Sequence, residues 1–516
     1  MKLFKSIVTV GGFTMASRIF GFVRTILTAS YLGATGISDA LEVAIKIPSF
    51  LRRLFAEGAF NAAFVPLFAA QLAGEGEEAA KSFAEEILSI FICVLLVIVV
   101  LVEIFMPVLM PLFVPGFTRT PERLHYAIEF TRVTFPFIFF ISLTALYSGI
   151  LNSFERFAAV ASSPMVGNMC IIAVVLGMAT YFSTPGHAFA LGILLCGVVQ
   201  FLWVWIPAVR LRMALKLIRP KMTPRVTEFL AKVTPAAASS GVVQINILIG
   251  MVIASFLPAG GVSYLSYADR LNQLPLSVVG TAIGTALLPL LTKQIRKGNH
   301  QQAIKSQNDA LEMALILTLP ATLGLFCLAE PLVVVLFERK AFDAVASLAT
   351  SQTLMAFSWG LPAYVLTKIF SSCFFAYQNT RTPLKAAAIA VAVDIVLSVL
   401  MVKPLQHVGI ALATAISAWV NASLLGYLLW RKGYFTMTPH LRKVLPRYGV
   451  VSLLTGVYLQ LMAMILKDQF RETFMVSVTV LSLFILSGII LFFGLAKAFK
   501  AINFKELKLK FQGVDV

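Results

Sequence analysis

The runs ILSIFICVLLVIVVLVEIF (87–105) and VSVTVLSLFILSGIILFFGLA (476–496) constrain this chain more than any other feature. Each is long enough to cross a hydrocarbon core about 30 Å thick at 1.5 Å per residue. Similar runs recur along the sequence, and the mean hydropathy of +0.88 with 13% charged residues excludes a water-soluble domain. Backbone groups in lipid must be satisfied internally, and these runs lack the alternation of barrel strands, so they are expected to be helices.

The predicted fold class is an all-α polytopic membrane protein of about fourteen spans, at approximately 3–33, 37–71, 82–112, 122–150, 158–182, 187–209, 223–257, 262–296, 303–329, 346–375, 383–402, 407–430, 441–466 and 472–497. The first segment carries Arg18 and Arg24 inside its apolar run, which is unlike a cleavable signal and points to a retained helix. The N-terminal side and the even-numbered loops hold about 26 Lys and Arg against 7 in the odd loops, which places both termini in the cytoplasm. The net charge of +18 is thereby assigned to topology and to contact with anionic lipids, with no nucleic-acid partner expected. The five cysteines lie in apolar segments without metal-type spacing and the histidines fall in or beside loops, so no cofactor and no catalytic constellation is expected.

An internal repeat organises the spans. GAFNAAFVPLFAAQLAGEGEEAAKS (58–82) parallels TAIGTALLPLLTKQIRKGNHQQAIKS (281–306), with Pro66 on Pro289. GILLCGVVQFLWVWIPAVR (192–210) parallels ATAISAWVNASLLGYLLWR (413–431), with Gln200 on Asn421. This predicts a lobe over 1–209, a second over 210–432 in the same orientation, and a C-terminal helix pair with a basic tail over 433–516. Parallel halves around a central cavity are a transporter architecture.

Charges inside the spans carry the functional reading, since each costs roughly 2.5–3.5 kcal/mol at mid-bilayer unless it faces a polar interior. Asp39, Lys46 and Arg53 are seven apart and Glu57 lies four beyond Arg53, so the second span carries alternating signs along one face, compatible with structural ion pairs. Arg18 and Arg24 have no acid within four positions, and Gly21 offers a place to bend. With Arg52 and Arg270 they form a candidate cationic cluster, and arginine's planar fork suits bidentate capture of phosphate or carboxylate. Asp394 stands alone in the eleventh span, within reach of Thr414 or Asn246; it is either a site for a coupling cation or proton, or a buried carboxylate satisfied by neighbours.

SRIFGFVR (17–24), SDALEVAIKIPSFLRRLFAEGAFNAAFVPLF (38–68), YADRLNQLPLSVVGTAIGTALLPLL (267–291) and GIALATAISAWVNASLLGY (409–427) resemble the MurJ (MviN) family of lipid II flippases, in the multidrug/oligosaccharidyl-lipid/polysaccharide exporter superfamily. The resemblance runs over nearly the whole chain. It implies two six-helix lobes around a cationic cavity, and a groove for a polyprenyl tail made by the last two helices. The substrate it implies is lipid II, a polyprenyl pyrophosphate bearing a disaccharide-pentapeptide, moved from the inner to the outer leaflet of the bacterial cytoplasmic membrane by alternating access.

Family cavity residues match Arg18, Arg24, Asp39, Arg52 and Arg270, with Ser17 and Glu57 beside them. Where the family often has an acid after the second arginine, Thr25 stands here. Asp394 and Thr414 are the counterparts of a sodium site found in some relatives, although Gly250 and Ala390 stand near positions where further ligands would be sought. A monomer that meets cell-wall synthesis proteins completes the expectation. The alternatives are export of another polyprenyl-linked saccharide or of amphipathic drugs, and a membrane enzyme acting on lipid phosphates. The last would need paired carboxylates, a nucleophile or a metal site at the interface.

Overall fold

The computed structural model describes residues 2–53 and 60–502. Among them the regular structure is helical, in the order α1 (Lys2–Leu32), α2 (Gly36–Arg52), α3 (Phe60–Gly74), α4 (Glu77–Phe113), α5 (Pro121–Thr134), α6 (Phe137–Ser153), α7 (Phe157–Met178), α8 (Pro185–Arg210), α9 (Pro224–Ser255) and α10 (Gly261–Arg296). There follow α11 (His300–Cys327), α12 (Ala329–Phe337), α13 (Ala344–Ser358), α14 (Leu361–Ala376), α15 (Arg381–Arg431), α16 (Pro439–Ile465) and α17 (Phe474–Ala498). Helix starts follow local chemistry: Thr35, Thr223, Asn299, Asp343 and Thr438 accept a hydrogen bond from the backbone N–H three residues on. Pro121, Pro185, Pro224 and Pro439 open helices where no N–H is needed.

Eight helices among the described residues are long and apolar enough to cross a bilayer. Their outward faces are apolar: along α4, Val97, Val100, Leu101, Ile104, Phe105, Val108 and Leu112 are all exposed. An apolar stripe on that scale is stable only against lipid.

The chain forms two compact units, Met1–Ser263 and Tyr264–Val516. In the first, Phe60, Phe64 and Phe68 stack down one face of α3 against Phe83 of α4, Leu146 and Ile150 of α6 and Phe229 of α9. Compactness puts α9 with this unit because it packs along α2, α3 and α4. The 211–223 segment is strapped to α4: Lys216 N–H donates to Glu85 at 3.0 Å, Ile218 N–H to Ser89 Oγ at 3.0 Å, and Thr223 Oγ1 to Glu86.

In the second unit, α10, α11, α14 and α15 share a core of Leu287, Leu291, Leu311, Ile369, Cys373 and Leu425. Tyr448 and Val451 of α16 and Phe492 of α17 pack on Ile316 of α11, which docks the C-terminal pair on this unit. The 51 residues of α15 would extend roughly 75 Å if straight, far beyond one bilayer crossing. They do not run straight, because Gln406 takes a left-handed backbone (φ 48°, ψ −128°) and turns the chain between the two segments expected at 383–402 and 407–430. Gly409 then lies so close to the Met401 carbonyl that a Cβ would collide with it.

Candidate functional site

Three neighbourhoods collect the ionisable residues singled out by the sequence. In the first, α1 crosses the α7–α8 pair. The amide of Asn168 (α7) donates to the Ser17 carbonyl at 3.3 Å and also fills the space beside Gly21. Gly21 is therefore a point where α7 approaches the continuous helix α1. Beneath it, Gln200 of α8 receives Ser163 Oγ at 3.3 Å and donates to Cys196 Sγ at 2.8 Å, and Gly167 leaves no room for a side chain there.

Arg24 of α1 and Arg52 of α2 both act electrostatically on the Cys196 thiol of α8. Arg24 and Arg52 are half-buried and Arg18 is exposed on α1. Thr25 and Thr28 return their hydroxyls to the Gly21 and Arg24 carbonyls, which keeps them on their own helix. Glu57 lies outside the described residues.

The second neighbourhood joins α2, α5 and the α9–α10 turn. Asp39, in the first turn of α2, has no exposed surface. Its Oδ2 accepts from Arg123 Nη2 at 2.8 Å and from the Gly260 N–H at 2.8 Å; its Oδ1 accepts from the Ser263 N–H at 2.8 Å and Oγ at 2.7 Å. Gly260 and Ser263 flank the start of α10, so the carboxylate caps that helix where its N–H groups are unpaired and its dipole is positive. Arg123 donates its other terminal nitrogen to the Leu257 carbonyl at 3.0 Å and lies 4.1 Å over the Phe117 ring.

A single buried ion pair thus ties together the starts of α2 and α5 and the α9–α10 turn. Close backbone packing reinforces it: Gly116 N–H donates to Ser255 Oγ at 2.9 Å, and Gly36 abuts the Arg123 stem. Sequence reasoning matched Asp39 to a family cavity residue and did not single out Arg123. The missed signal was the GGVS stretch (260–263), small residues and a serine at a helix start, which is where a carboxylate from elsewhere docks.

The third neighbourhood lies in the second unit. Asp394, on the first half of α15, and Asp269 of α10 both act on the phenol of Tyr364 (α14), a residue the sequence did not single out. Thr414, past the turn at Gln406, donates its hydroxyl to the Ile410 carbonyl at 3.0 Å. Lys368 lays its ammonium over Gly280 of α10. Arg270 is exposed on α10, next to Asp269, which accepts from Gln273 at 3.4 Å.

Long lipid-facing helices in both units, with Arg24 and Arg52 half-buried in the first, define a polytopic helical membrane protein. An inward-facing multidrug transporter of the MATE family has the same fold, with a TM-score of 0.67 over 84% of this chain and 99% of that one at 16% identity. The profile of the family described as Lipid II flippase MurJ matches residues 28–493, and the chain belongs to that family.

A probable lipid II flippase MurJ of Rhizobium meliloti (strain 1021) is 39% identical over 88% of this chain and 85% of its own length. That of Rickettsia prowazekii (strain Madrid E) is 33% identical over 98% and 99%. The solved structure "Lipid II flippase MurJ, inward closed conformation" superposes with a TM-score of 0.75, covering 94% of this chain and 99% of that one at 27% identity.

Proposed function

We propose that this chain translocates lipid II from the inner to the outer leaflet of the bacterial cytoplasmic membrane. Membership of the MurJ family over residues 28–493 carries the reading, and the electrostatic influence of Arg24 and Arg52 on one thiol of α8 supports a role for arginine in it. The chain crosses the membrane about fourteen times with both termini in the cytoplasm, in repeats of 1–209 and 210–432 followed by a helix pair at 433–516.

Arg18, Arg24, Arg52 and Arg270 replace water around the pyrophosphate and the peptide carboxylates, because guanidinium binds such groups by paired charge-assisted hydrogen bonds. No bond in the substrate need be made or broken. The Asp39–Arg123 pair holds one end of the first unit shut, and alternating access requires that it open in each cycle. Asp394 and Thr414 are the candidate cation ligands, and anionic lipids and cell-wall synthesis proteins the candidate partners of a monomer.

The test supplies the intact chain, or a variant with Arg24, Arg52 and Arg270 changed to Ala, to cells depleted of their own flippase, at matched membrane levels. Lipid II reaching the outer face is then measured. Transport by the intact chain and a loss of tenfold or more in the variant are expected. No transport by a correctly inserted intact chain refutes the substrate, and equal transport by the variant refutes the arginine site.

A further inference from the structure

Glu103 sits in the middle of an otherwise apolar stretch of α4, between exposed Val100, Leu101, Ile104 and Phe105. It is eighteen residues beyond Glu85, roughly 27 Å along the helix from the end that holds the 211–223 strap, and ten residues, roughly 15 Å, before the helix stops. That depth is inside the hydrocarbon layer. Its Oε1 is buried and accepts no hydrogen bond.

A carboxylate with a buried, unsatisfied oxygen at that depth lacks what stabilises its charged form, whereas the neutral acid avoids most of the cost. Arg132, exposed on the neighbouring α5, acts on it electrostatically across the α4–α5 contact.

The other helices against α4 do not offer charge at this level. α3 and α6 contain no acidic or basic residue. Arg225, Glu228 and Lys232 of α9 belong to the strap end. Arg119 stands over Phe256, and Arg123 is taken by Asp39.

On α5 itself, Glu122 lies in the first turn, and His125, Glu129 and Arg132 follow at helical spacing on one face. Glu129 lies 3.5 Å from His125 Nε2 and 3.1 Å from His187 Nε2. His187 Nδ1 in turn shares a hydrogen bond with Thr184 Oγ1 at 2.9 Å.

We propose that Glu103 is a proton-binding site within the membrane and that its occupancy switches the partner of Arg132. Ionised, Glu103 neutralises Arg132 across the α4–α5 contact. Protonated, it withdraws that charge, and Arg132 turns to Glu129, one turn away on its own helix. One proton binds one carboxylate oxygen, and no other bond changes. This deepens the proposed function by naming a proton as a coupling ion, at a site separate from Asp394.

The test is infrared difference spectroscopy of the whole purified chain in lipid vesicles without lipid II, stepped from acidic to alkaline pH, so its outcome is independent of the substrate. The parent is expected to lose a protonated-carboxyl C=O band during the step, and Glu103→Gln to lack that band. The same band in Glu103→Gln overturns the proposal, as does its absence from the parent. Where Glu103→Gln fails to insert, Glu103→Asp decides: a band displaced in frequency supports the site, and an undisplaced one overturns it.

Discussion

Replacing Asp39 by Asn keeps the shape of the side chain and removes its charge. In the parent, two oxygens accept four hydrogen bonds, from Arg123, Gly260 and Ser263 twice. The amide keeps one oxygen, best turned to Ser263, and sets its NH2 against the Gly260 N–H and the Arg123 guanidinium, donor against donor. Two hydrogen bonds to a charged group are lost, each contributing about 1.5–3 kcal/mol. Breaking one side of a buried ion pair costs about 3–5 kcal/mol in comparable cases, which agrees. At 1.4 kcal/mol per tenfold, the latch should open roughly 100- to 4,000-fold more often.

Val262, in the held turn, is 1% exposed and reports opening directly. In a Val262→Cys background, the rate of labelling by a membrane-impermeant maleimide should rise with the open fraction, and thermal unfolding should move to lower temperature. Unchanged labelling and an unchanged midpoint in Asp39→Asn would refute the claim that this carboxylate holds the α9–α10 turn.

Gly116→Ala would drive a Cβ into the Ser255 carbonyl, so a loss of about 1–3 kcal/mol is expected and is read as a lower melting temperature. Gln406→Gly relieves a left-handed backbone in a side-chain-bearing residue and should stabilise the chain by about 1 kcal/mol, measured the same way. Sodium should raise the thermal midpoint of the parent and not that of Asp394→Asn; an equal response in both removes Asp394 from the cation site. Arg52→Lys should retain part of the transport that Arg52→Ala loses, because a lysine keeps the charge but not the fork.

Long helices were legible because lipid enforces long apolar runs and leaves loops to polar residues: α11, α16 and α17 start and stop within three residues of expected spans, whereas the short α12 was not expected and α13 and α14 divide one expected span. Local punctuation was legible too, in the threonine caps and opening prolines. Partnerships were not. Arg123 and Asp39 are 84 residues apart, and counting Arg123 as a loop charge for topology concealed its burial. Glu103 was hidden by the run that announced the membrane, since hydropathy averages a single acid away. Arg24 and Arg52 were singled out by their charge, but the Gln200, Cys196 and Gly167 neighbourhood near them depends on how α7 meets α8, which no periodicity encodes. Gly21 read as a hinge because a glycine permits bending; whether it bends or admits a neighbour is decided by that neighbour.

The strap along α4 separates two kinds of tolerance to change. Lys216 and Ile218 are held through their backbone N–H groups, while their side chains point away, exposed. Almost any residue type can supply an amide, so the identity of the residues there is free, whereas their number is fixed by the spacing of Glu85, Glu86 and Ser89. Sequence drift should pass silently through the exposed positions 216–219, but not at Leu215, which packs on the core, while a single insertion or deletion slips the register of every bond. An epitope or fluorescent tag therefore belongs in another connection.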